Sequence, residues 1–290
     1  MAESSLPPPP PPPPRPPAPP ASGSNWKEAD RPPLVPFGPG ARWGLGDAFA
    51  SYGIFILTSI ALVGVVVLTN PDGTGLNSPW LPILIAVPQI AQGLHVTWVA
   101  RARGDGVDRD YGMKFKGIDW LVGPMMLVLG FIGVAGVVAG LDALGLETPS
   151  ASVADLVEDA ADETDSSVDE PGGTADETED ATDDDGSGVT IWIVMVAIFA
   201  ATAVPVIEEL VYRGLWWSAL LKRGMSEWWV LPITSVAFAA AHLEPGRFPV
   251  LCVLGLALGM GRVLTGRIGA SIITHALING IGMIALLATI

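Results

Sequence analysis

A single cysteine, Cys252, stands among the 290 residues, which excludes a disulfide framework and a thiolate metal site. Histidine is nearly as scarce, at three positions, His95, His242 and His275. Charge is sparse outside one stretch. Of the 30 acids, 16 lie between Glu147 and Asp185, leaving 14 against 15 Lys and Arg elsewhere. The net −15 is therefore local, and no basic surface for nucleic acid exists. The chain also lacks an HExxH stretch and internal repeats. Its first apolar run begins only near Leu45, after a proline-rich stretch, which argues against a cleaved secretory signal.

What is present is apolar. Mean hydropathy is +0.46 and half the residues are hydrophobic. Seven apolar runs, at 46–69, 80–100, 119–146, 189–221, 227–243, 248–264 and 268–289, lie near the ~20 residues a spanning helix needs, the fourth being long and the fifth and sixth short. The reading is all-α: a polytopic membrane protein in the lipid bilayer with about seven transmembrane helices. Trp80, Trp98, Trp120, Trp192, Trp216, Trp217, Trp228 and Trp229 stand near run ends, as an interfacial aromatic belt requires.

Four regions follow. Residues 1–44, with "LPPPPPPPPRPPAPP", are expected to be a disordered cytoplasmic arm. Residues 45–146 carry three transmembrane helices. Residues 147–188 are expected to form a disordered acidic loop outside the cytoplasm. Residues 189–290 form a four-helix core. Basic residues set the orientation: Arg15, Lys27, Arg31, Arg42, Arg101, Arg103, Arg109, Lys114, Lys116, Lys222, Arg223 and Arg267 all fall on one side if seven spans alternate, and Arg247 alone on the other. The amino terminus is expected on the cytoplasmic side of a cell membrane.

Ionisable groups in hydrocarbon are costly, so those in the last hundred residues need a reason. "EELVYR" places Glu209 and Arg213 four apart, acid first, the favourable order for a helical ion pair. Glu208, about 100° round the helix from Glu209, cannot aim at the same point and is left free. Pro205 predicts a kink one turn before the acids. "FAAAH" puts Phe238 and His242 on one face, with Phe238 read as packing, and "HALIN" does the same for His275 and Asn279. At ~1.5 Å per residue, Glu208, His242, His275 and Asn279 all come out roughly 12–24 Å deep. A lone Glu–Arg pair could simply glue helices, and His95, near a run end, reads as interfacial. Four expensive groups at compatible depth point instead to a shared site.

"EELVYR", "FAAAH" and "HALIN" match in order the EExxxR, FxxxH and HxxxN motifs of the CPBP intramembrane proteases, a family that includes CAAX prenyl endopeptidase type 2 and bacterial Abi proteins. "LGLALGMGRVLTGRIGASIITHALIN" also resembles that family's core, and the resemblance covers about residues 190–290. It implies an endopeptidase whose substrate is a peptide or membrane protein, prenylated for some members. Glu208 and His242 would activate a water, His275 and Asn279 would stabilise the oxyanion, and Glu209 with Arg213 would be structural. No metal or other cofactor is expected. Zinc held by two histidines and a glutamate is the rival chemistry, and a transporter or proton relay is the rival class.

Overall fold

The computed structural model describes residues 41–69, 79–146 and 191–289. Nearly all of the proline-rich arm and the acidic segment lie outside them. Among the described residues there is no strand; the chain is helical and polytopic, as the apolar runs require. In chain order the helices are α1 (Leu45–Thr69), α2 (Trp80–Arg103), the short α3 (Val107–Asp110), α4 (Asp119–Ala143), α5 (Ile191–Glu209), a π segment (Leu210–Trp216), α6 (Trp217–Lys222), α7 (Glu227–Ala241), α8 (Phe248–Thr265) and α9 (Gly269–Thr289).

Six stretches are long and apolar enough to cross a bilayer, the overlong fourth run becoming one 32-residue span, Ile191–Lys222. The fifth run is the exception. With 15 residues α7 is about 22 Å long, short of the ~30 Å hydrocarbon core, and it stops at His242. Its length thus sets the level of that imidazole.

Polarity is distributed as hydrocarbon demands. Leu57, Ile60 and Leu68 on α1, Ile132 on α4 and Ile284 on α9 are mostly exposed, whereas Glu209, Arg213, Asp119 and Arg262 are buried. Small residues let the helices approach. A Cβ on Gly123 of α4 would come within 2.6 Å of the Ile273 side chain on α9. A Cβ on Gly255 of α8 would meet the Ser235 Cα of α7 at 3.0 Å. The three amino-terminal helices divide their contacts: α1 and α2 pack on each other and reach α5 and the π segment, while α4 packs on α8 and α9.

At the end of the bundle carrying the α2–α4 connection, polar ties replace apolar contact. Arg103 pairs with Asp47, and Arg267 pairs with Asp119 at 2.9 Å. The Trp43 indole N–H donates to Asp110 Oδ2 at 3.0 Å, and the Ser218 hydroxyl donates to the Asp110 carbonyl at 2.7 Å. Burial pushes the Asp110 carboxyl above its usual range, opposed by its hydrogen bonds from Trp43 and the Asp105 N–H. These ties stitch a polar connection onto the end of the helices that carry the motifs.

The tight α7–α8 contact generates a test. Gly255→Val must displace the Ser235 backbone and should cost about 1–3 kcal/mol, read as a lower melting temperature in detergent. An unchanged melting temperature would contradict the close packing.

Candidate active site

The three motifs meet around one buried carboxylate. Glu209 closes α5, and the ladder then widens into the π segment, all seven residues of which are buried. The sequence predicts a kink at Pro205, which lies within α5, and irregular turns follow the acids. Single π turns inside α-helices recur at functional sites.

Glu209 and Arg213 are fully buried and pair at 3.0 Å. Arg213 also donates from Nη2 to the Gly255 carbonyl at 2.7 Å, and its guanidinium lies 5.1 Å from the Phe238 ring centre. Glu209 Oε1 receives a second partner, His275 Nδ1, at 3.0 Å. One oxygen thereby joins α5, the π segment and α9, and Arg213 adds α8. A charge this deep persists only because its partners are fixed.

Glu208 points differently, as expected, but not entirely away. Its side chain retains 12% exposure, its Oε2 lies 3.7 Å from His275 Nε2, and its Oε1 accepts from Gln89 Nε2 at 3.1 Å. Adjacent acids do diverge on a helix, yet one imidazole spans both because its two nitrogens lie on different edges of the ring. A carboxylate only accepts, so Nδ1 of His275 carries the hydrogen toward Glu209 and Nε2 faces Glu208.

His242 follows the last residue of α7, with Nδ1 2.8 Å from the Phe238 carbonyl. A carbonyl also only accepts, so the hydrogen sits on Nδ1 and Nε2 keeps its lone pair. Phe238 packs edge-to-face on both imidazoles, at 4.7 Å to His242 and 5.7 Å to His275. It is a packing residue, as read from the sequence, and it sets both rings. Asn279, one turn beyond His275, donates from Nδ2 to the Ala200 carbonyl of α5 at 2.9 Å.

Glu208 and His242 line a common cavity of about 610 Å³, together with Tyr52, Gln89, Tyr212 and Trp216. His275 and Asn279 are not among its lining residues; His275 stands behind Glu208, and Asn279 is tied to α5. Sequence reasoning missed Tyr52 and Gln89, which come from α1 and α2, outside every motif. The available signal was the pair of amides in "PQIAQ", since polar side chains within an apolar run carry the same cost as the acids. His95 lies apart from this site, 3.4 Å from the Asp47 carbonyl and tilted against Trp98.

Among the described residues, no three His, Cys, Asp or Glu side chains group as metal ligands. Arg213 and His275 share Glu209 Oε1, and His242 and His275 each have Nδ1 engaged.

The two acids should therefore respond differently to loss of charge. Glu209→Gln leaves Arg213 buried without its counter-ion and should cost about 3–5 kcal/mol, whereas Glu208→Gln should leave the fold nearly as stable as wild type. Melting curves of both variants in the same detergent check this, and equal losses would contradict the division.

Residues 190–281 match the family model described as Rce1-like, type II CAAX prenyl endopeptidase. No curated protein and no solved structure gives a significant match. The matched segment holds all three motifs and the buried hub they build, and over these residues the chain is similar to the type II CAAX prenyl endopeptidases.

Proposed function

We propose that this CAAX-type intramembrane endopeptidase hydrolyses its peptide bond with a water activated by Glu208 and His242. The observation that carries the reading is the unequal placement of the paired acids. Glu209 is consumed by Arg213 and His275, while Glu208 lines a cavity that His242 also lines.

Glu208 Oε2 would take a proton from the water as its oxygen bonds to the scissile carbonyl carbon. His242 Nε2, unprotonated in the tautomer its Nδ1 bond selects, would accept the water's other O–H and orient it. The carbonyl π electrons move onto oxygen. His275 and Asn279 would donate to that oxyanion, the asparagine through its second amide hydrogen. For His275 this requires hydrogen on both ring nitrogens, a charge that the flanking carboxylates of Glu208 and Glu209 would balance. Collapse of the intermediate breaks the C–N bond, and the proton held by Glu208 passes to the departing amine. Among the described residues no three His, Cys, Asp or Glu side chains group as ligands, and no step is routed through a metal.

The substrate is proposed to be a peptide held at the membrane, either prenylated or unmodified. The amino terminus is proposed to be cytoplasmic, in a cell membrane. The basic residues support that orientation: Lys222 donates to the Ala41 carbonyl and Arg42 N–H to the Arg103 carbonyl, so cations from the ends of α1, α2 and α6 gather at one end.

Purified protein in liposomes should cleave a fluorogenic CAAX-type peptide offered with and without a farnesyl group, and Glu208→Gln should cleave neither. Cleavage equal to wild type by Glu208→Gln would refute the mechanism. So would stoichiometric zinc in active protein that disappears in His275→Ala.

Asn279→Ala should lower kcat by roughly 10²–10³ with little change in KM, because an oxyanion donor acts on the transition state. A change in melting temperature with kcat intact would reduce Asn279 to a tie between α9 and α5.

A further inference from the structure

The catalytic glutamate has a partner outside the segment that matches the family. Gln89 lies on α2, 119 residues before Glu208, and its amide Nε2 donates to Glu208 Oε1 at 3.1 Å. The contact is built into the packing. Gly93, four residues on and on the same face as Gln89, has no side chain to hold α5 off; a Cβ there would lie 3.0 Å from the Ile207 side chain, immediately before Glu208. Gln92 donates to the Ser51 carbonyl of α1 at 3.3 Å, which fixes the rotation of α2 about its axis. Close approach at Gly93 and the tie at Gln92 thus set the register that presents Gln89 to the acid.

We propose that Gln89 is a positioning residue for hydrolysis, holding Glu208 so that Oε1 is engaged and Oε2 is the oxygen that receives the proton. A carboxylate otherwise rotates about its last side-chain bond, and either oxygen can face the water. One donor on Oε1 removes that freedom before substrate binds, which is the preorganisation a general base needs. The other end of the amide supports the same role. Gln89 Oε1 is buried, lies in a side chain on the cavity wall and has no hydrogen-bond partner among the described residues. A buried acceptor is costly when unsatisfied, and rotation of this cavity-wall side chain would let it accept an O–H from the attacking water or an N–H from the substrate main chain. A simple interhelical tie would need only the donor end. The inference rests on the hydrolytic role of Glu208 proposed above.

Its test is steady-state cleavage of the fluorogenic CAAX-type peptide by wild type, Gln89→Met and Gln89→Asn in liposomes, with melting temperatures measured on the same preparations. Methionine keeps the volume and loses both hydrogen-bonding ends; asparagine stays polar but falls one methylene short, and it serves as the readout if the methionine variant does not fold. A positioning role predicts kcat lower by about 10–100-fold, KM nearly unchanged and melting temperature held. Wild-type kcat in both variants would overturn the proposal, as would activity that falls only in step with melting temperature. If wild type cleaves no peptide, the hydrolytic reading itself fails, an outcome distinct from an active wild type matched by active Gln89 variants.

Discussion

The buried pair of Glu209 and Arg213 is the constraint around which the helices of the matched segment are arranged. Two charges removed from water are stable only if the geometry is right and further hydrogen bonds use the remaining capacity. Here the guanidinium reaches the Gly255 carbonyl and lies near Phe238, and the carboxylate takes the His275 imidazole. The pair therefore dictates where α8 and α9 stand relative to α5. The same Gly255 that offers its carbonyl to Arg213 also lets α7 approach α8, since a Cβ there would meet Ser235.

The same hub sets the orientation of the side chains around it. Because Glu209 fixes Nδ1 of His275, Nε2 is turned toward Glu208, and Phe238 packs both imidazoles in place. The π segment keeps Tyr212 and Trp216 on the cavity while Arg213, between them in sequence, points into the hub. The short α7 then ends at His242 on the same cavity. Neighbouring residues are placed differently: the fully buried acid holds the helices, and the partly exposed one meets the cavity.

Helices outside the matched segment complete this arrangement. α1 and α2 supply Tyr52 and Gln89 to the cavity, and the Tyr52 hydroxyl reaches the Ala237 carbonyl of α7 at 3.4 Å. α4 supports the opposite partners, α8 and α9, through the close approach at Gly123 and a hydrogen bond from Thr274 to the Gly123 carbonyl at 3.0 Å. In hydrocarbon there is no hydrophobic drive between helices, so these contacts rest on close packing and hydrogen bonds.

Much of the fold was legible in order. Runs of apolar residues long enough to cross a bilayer have no other stable solution, because every backbone polar group must be satisfied within its own helix. The pairing of Glu209 with Arg213 was equally local, since a spacing of four puts both on one face. The π segment was not legible, because whether a carbonyl accepts from four or five residues ahead depends on the neighbours that bury it. Neither was the bridging of both acids by His275, the tie from Asn279 to Ala200, nor the reach of Gln89 to Glu208. The sequence by itself determined which residues carry polarity into the membrane, because their cost is a property of each residue and its run. Only the tertiary structure decided which atoms face one another, because hydrogen-bond partners 66 to 119 residues apart are set by helix register and close approach, which no local pattern contains.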